Sequence, residues 1–162
     1  MSDMTPISTV SGVALHDVGH RFRGDFFDRC GSIERWLTLA LTQPGALARP
    51  CGDKAFLGEK LKKVREIATA DLNRPAKILK RPEKVLRLLD RFQPYADLRG
   101  VLGHSTQTVA ISQGEEILFL YQSMGGAPWS QVALTEASQG RILRALQTLM
   151  KEFGEQKLVA GS

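Results

Sequence analysis

The sequence predicts an all-α fold, a mostly helical domain with one small β-hairpin inserted before the last helix. Three observations lead there. Apolar residues recur at three- and four-residue steps along most of the chain, the period of a helix face. Only residues 106–123 break that texture, with two β-rich runs around a glycine turn. At 162 residues the chain fits one domain with a real core, needing neither disulfide nor metal to hold it.

Each element has its own signal. From about Asp17 to Thr42, Phe22, Phe26, Cys30, Ile33, Leu37 and Leu41 form one stripe, widened by Phe27 and Trp36. Gln43-Pro44-Gly45 stops this helix, and a loop runs through Arg49-Pro50-Cys51-Gly52. Asp53 is a plausible N-cap for a second helix, with Leu57, Leu61, Val64 and Ala68 on its apolar face and Lys60, Lys62, Lys63 and Arg65 over much of the rest. After a basic loop from Asn73 to Pro82, a short helix turns Val85, Leu88, Leu89 and Phe92 one way. Pro94 should end it, and Tyr95 to Gly103 reads as one more short helix closing on glycine. Thr106 to Ser112 and Ile117 to Ser123 make the hairpin across Gln113-Gly114-Glu115-Glu116, and Gly125-Gly126-Ala127-Pro128 is a further turn. Thr135 can cap a final helix carrying Ile142, Leu146, Leu149 and Phe153, with Leu143 and Met150 alongside. Residues 1–16 read as a loose lead-in, 17–155 as the domain and 156–162 as a loose tail.

Charge narrows the partners. The net charge is +5, but residues 54–99 hold 13 basic against 6 acidic groups, more than the whole surplus. A concentrated positive field suits a polyanion, although a solvated helix face gives the same count. Two cysteines, Cys30 and Cys51, without CxxC spacing suit reduced thiols in a cytoplasmic protein. No apolar run reaches membrane-spanning length, and the first residues lack the basic-then-apolar pattern of a signal peptide.

The basic block ends on Arg99, and Arg99-Gly100-Val101-Leu102-Gly103-His104-Ser105 follows. It places a permanent cation and the chain's last histidine five positions apart. Arginine fixes and neutralises phosphate oxygens, and histidine moves protons near neutral pH. That pair is the minimum equipment for cleaving RNA without a metal: the 2′-hydroxyl must lose a proton, the 5′-oxygen must gain one, and the phosphorane charge must be met. Spacing alone is weak in a chain with 13 arginines. On an ideal helix the two residues also lie about 140° apart. Either the helix ends at Gly103, or a symmetry mate completes the site. An Arg in a surface ion pair with Asp97 or Asp90, beside a His capping a helix end, is the bland alternative.

The pair in this setting resembles the HEPN superfamily, whose hallmark is Arg, a polar residue, then x-Leu-Ala-His-Gly. Arg99, Leu102 and His104 match, Gly103 and Ser105 are small-residue variants, and Gly100 departs from the polar residue. Glu34 sits where many members carry an acidic residue on the first helix, and Phe56-Leu57-Gly58-Glu59-Lys60-Leu61 resembles their entry to the second. The resemblance implies a HEPN-like antiparallel helical bundle working as a homodimer. It also implies a metal-independent endoribonuclease of the toxin or phage-defence kind, without cofactor, with RNA as substrate and an antitoxin as a further partner. Other members have lost cleavage and act as RNA-binding or protein-partner adaptors. On the first expectation Arg99 and His104 carry the site. Glu34 orients one of them or satisfies an ion pair, and Lys60, Lys63, Lys80 and Arg91 guide RNA.

Remaining motifs are weaker. His16 and His20, four apart, could chelate a metal but lack the H-E-x-x-H pattern. Ser105 beside His104 has no nucleophile elbow. No P-loop or G-x-G-x-x-G is present.

Overall fold

A computed structural model describes residues 9–44, 56–123 and 131–159. Among the described residues four helices and three strands follow in order: α1 (Thr9–Leu41), α2 (Leu57–Asp71), α3 (Pro82–Gly103), β1 (Ser105–Ile111), β2 (Ile117–Ser123), β3 (Gln131–Leu134) and α4 (Glu136–Gly154). The fold is therefore mixed, and the all-α expectation is corrected: a three-stranded antiparallel sheet, order β1-β2-β3, replaces the bare hairpin. The third strand is the short run Gln131-Val132-Ala133-Leu134, which pairs with β2 from Phe119↔Leu134 to Gln122↔Gln131. Four residues give too short an alternation to announce a strand. The hydrogen-bonding edge of β2, a long-range partner, makes it one. The turn expected at 125–128, the Asp53 cap and Cys51 lie outside the described residues, as does the lead-in up to residue 8.

The chain divides into two compact units, Met1–Phe26 with Gly100–Leu143 and Phe27–Arg99 with Arg144–Ser162. In the first, Phe22, Phe26, Leu102, Phe119 and Tyr121 are buried. The Tyr121 hydroxyl donates to the Gly19 carbonyl at 3.3 Å and accepts from Gln139 Nε2 at 3.2 Å. Burial pushes the phenol up to about 12. A Cβ at Gly19 would meet the end of the Gln107 side chain, whose amide donates to the His16 carbonyl at 3.1 Å, so a larger residue there would displace that side chain. In the hairpin, Glu115 takes the left-handed conformation, φ 60°, between paired Ser112 and Glu116. Thr135 Oγ1 accepts the Ser138 amide at 3.1 Å, so it caps α4 as expected.

In the second unit the expected stripes are the core: Cys30, Ile33, Leu37 and Leu41 of α1, Leu57, Leu61, Val64 and Ala68 of α2, Val85, Leu88, Leu89 and Phe92 of α3, and Leu146, Leu149 and Phe153 of α4. Two expectations change. The helix does not stop before Pro94: α3 runs through it to Gly103. Proline cannot bond the Asp90 carbonyl, but Asp90 and Pro94 are both exposed, so water can take that carbonyl. Buried Leu88, Leu89 and Phe92 hold the helix meanwhile. The segment after α4 is not loose as far as residue 159. Gln156 is buried, Leu158 bridges Leu79, and the Val159 amide donates to the Ile78 carbonyl at 2.7 Å. The buried Asp71 carboxylate anchors the same loop by accepting the Ile78 and Leu79 amides, each at 2.8 Å. Among the described residues no helix is long and apolar enough to cross a membrane.

Candidate functional site

Three helices of the second unit bring one charge each to a common point. Glu34 follows buried Ile33 on α1 and is half-sunk beside the stripe. Its Oε1 accepts Lys60 Nζ of α2 at 2.9 Å, and its Oε2 meets an Arg99 terminal nitrogen of α3 at 3.0 Å. Two cations thus share one carboxylate, leaving one net positive charge. The Arg99 guanidinium also lies 5.8 Å from the centre of the Phe27 ring, within reach of a cation–π attraction. Its side chain is 31% exposed, and its buried Nε has no hydrogen-bond partner. A guanidinium offers five N–H donors, so an anchor on one terminal nitrogen leaves others to meet an anion.

Glu34 and Arg99 are thereby joined, as one of the two sequence expectations for Glu34 required. Lys60 is a correction. It was expected on the surface to guide RNA, but it is 6% exposed and its charge is spent on Glu34. A signal for this did exist: Leu57, Lys60 and Val64 share helical spacing, so Lys60 falls on the buried face. Its partner, 26 residues away, could not be read from the sequence. Lys63 pairs with Glu59 at 3.2 Å. Arg91 donates to Glu152 at 2.8 Å, and this hydrogen bond holds the Glu152 carboxyl below its ordinary range. Lys80 is exposed at the N-terminal end of α3. Cys30, beside the charge cluster, is fully buried, and desolvation pushes its thiol up to about 12. It is no nucleophile at neutral pH, because the thiolate is the reactive form.

His104 belongs to the first unit. Helix α3 ends at Gly103, one of the two arrangements the motif called for, and His104 stands exposed in the turn before β1. That turn is pinned by a residue sequence reasoning missed. Arg23 of α1 donates from Nε and a terminal nitrogen to the Leu102 carbonyl, at 3.0 and 2.7 Å. The same terminal nitrogen donates to the Ser105 carbonyl and, at 3.0 Å, to Ser105 Oγ. A cation on the last carbonyls of a helix is favourable for the helix dipole as well. The separation of 79 residues from Leu102 left no local signal. His16 and His20 are exposed on α1 with rings 6.4 Å apart. Among the described residues no group of three or more His, Cys, Asp or Glu could hold a metal. No family model, no curated protein and no solved structure matches the chain.

Proposed function

We propose that this protein is a HEPN-like, metal-independent endoribonuclease of the toxin or phage-defence kind, acting in the cytoplasm as a homodimer. One observation carries the reading: Glu34, at the position acidic in many HEPN members, clamps Arg99 at 3.0 Å one turn before α3 ends, and His104 follows in an exposed turn. Arg99 meets the non-bridging oxygens and the charge that develops on the phosphorane. His104 takes the proton of the attacking 2′-hydroxyl. The His104 of a second copy protonates the departing 5′-oxygen, and a 2′,3′-cyclic phosphate remains. A homodimer supplies both histidines to one groove.

The experiment incubates end-labelled RNA in EDTA with wild type, Arg99→Ala and His104→Ala. Cleavage by wild type that both substitutions reduce at least a hundredfold supports the mechanism; equal cleavage by all three removes it. A second reading, a non-catalytic RNA-binding adaptor, is favoured by Gly100, which departs from the polar residue of the family hallmark. Such an adaptor binds RNA in a salt-dependent way, keeps binding in His104→Ala and cleaves nothing.

A further inference from the structure

At the far end of α3 from Arg99 the second unit contains a cavity of about 370 Å³ lined by Lys80, Arg81, Lys84, Glu155, Gln156 and Lys157. Lys80 and Arg81 precede α3, Lys84 lies in its first turn, and Lys157 comes from the segment after α4. Main-chain bonds hold these pieces together: the Lys80 amide donates to the Lys157 carbonyl at 3.2 Å, and Leu79 bridges Leu158. The convergence is therefore built by the backbone rather than by four wandering side chains.

The charges in this wall are unmatched. Among the described residues none of Lys80, Arg81, Lys84 and Lys157 makes an ion pair within 4.0 Å, whereas Lys60, Lys63, Arg65, Arg74, Arg91 and Arg99 of the same unit do; Lys62, Lys77 and Arg87 also lack one, but they do not line this cavity. Glu155 is the single carboxylate in the lining, so the wall carries a net charge of +3 by the residues named. Outside it, Glu83 stands beside Lys84 in the first turn of α3, and Glu152 feels Lys84 but spends its hydrogen bond on Arg91. Helix-end amides contribute little here, because Pro82 has none and those of Lys84 and Val85 already bond the Arg81 carbonyl.

We propose that this cavity binds a terminal phosphate group, carried on the 5′ end of a polynucleotide or on a free nucleotide. A terminal phosphate brings nearly two negative charges and three acceptor oxygens to a wall with +3 and many N–H donors. A carboxylate or an internal phosphodiester brings only one charge. Arg81 lies about 27 Å along α3 from Arg99, so the two sites are separate. The proposal stands apart from the ribonuclease reading, since a phosphate cradle serves an adaptor equally well.

The test measures binding of a 2′-O-methyl oligoribonucleotide, which 2′-hydroxyl chemistry cannot cleave, to the full chain by fluorescence anisotropy. The 5′-phosphorylated form should bind at least tenfold more tightly than the 5′-hydroxyl form. Arg81→Gln with Lys84→Gln should erase the difference, Lys157→Gln alone should reduce it, and Arg87→Gln, on α3 outside the cavity, should leave it intact. If only a mononucleotide binds, displaced by pyrophosphate and lost in the same variants, the site stands and the free nucleotide is its ligand. The proposal is overturned if neither ligand shows a phosphate preference, or if the preference survives both the double and the Lys157 substitutions.

Discussion

At the residue scale, Glu34 is the side chain on which most depends. It answers Lys60, 6% exposed, and Arg99 together, and removing it strands one nearly buried cation. Glu34→Gln should therefore cost about 2–4 kcal/mol in urea unfolding. Lys60→Met should cost much less, because Glu34 keeps Arg99 and the methionine fills the apolar face of α2. Equal losses would show that the carboxylate is not the hub. Cys30 gives the pH dependence. Its thiol titrates near 12 in the fold against an ordinary 9.0, so the unfolded chain releases this proton first as pH rises. Stability from this group is full below about pH 9 and falls from there toward 12; Tyr121, raised from 10.0 to about 12, acts in the same direction. Denaturation at pH 7 and at about pH 10.5 should show the decline, with a shallower one in Cys30→Ala. A flat profile would mean that the thiol ionises freely. Of these residues, the buried face of Cys30 was legible from its place between Phe26 and Ile33. The Glu34–Lys60–Arg99 junction was not, because no local pattern encodes a meeting of three helices.

At the element scale, helices spoke clearly where one face is apolar and less clearly where punctuation intervened. The stripe from Phe22 to Leu41 and the β2 run Ile117–Ser123 are legible because period and burial agree along them. Proline 94 misled because a proline signal is local, while the continuation of α3 is decided by buried Leu88, Leu89 and Phe92 below and Leu102 beyond. Its presence still costs one helical hydrogen bond. Pro94→Ala should stabilise the protein by about 1–3 kcal/mol in thermal or urea unfolding, and no gain would mean that the helix is already relaxed around the ring. β3 was hidden because four residues need the edge of β2 to become a strand. Arg23, which pins the turn after α3 through the Leu102 and Ser105 carbonyls, belongs with it as structure made by distant partners. Arg23→Ala should loosen the backbone around His104, read as faster amide hydrogen exchange at residues 104–106 than in wild type. Unchanged exchange would assign the arginine to the surface.

At the scale of the whole molecule, the described basic residues of 54–99 meet three fates. Lys60, Lys63, Arg65, Arg74, Arg91 and Arg99 are answered by carboxylates, Lys80, Arg81 and Lys84 gather with Lys157 around a concavity, and Lys62, Lys77 and Arg87 do neither. The local surplus seen in composition was thus a poor guide to which cations meet a ligand, and pairing in three dimensions sorted them. What the sequence did hold was the first two helices, the β1–β2 hairpin and the last helix in order, and the placement of Arg99 just before a helix end, with His104 just after it. On the proposed reading those two residues cleave RNA without a metal. This is tested most directly by mapping the ends of RNA cut in EDTA by wild type, Arg99→Ala and His104→Ala. Wild type should leave 2′,3′-cyclic phosphate ends and either variant almost none; intact RNA with wild type, or the same ends from all three proteins, would contradict this reading.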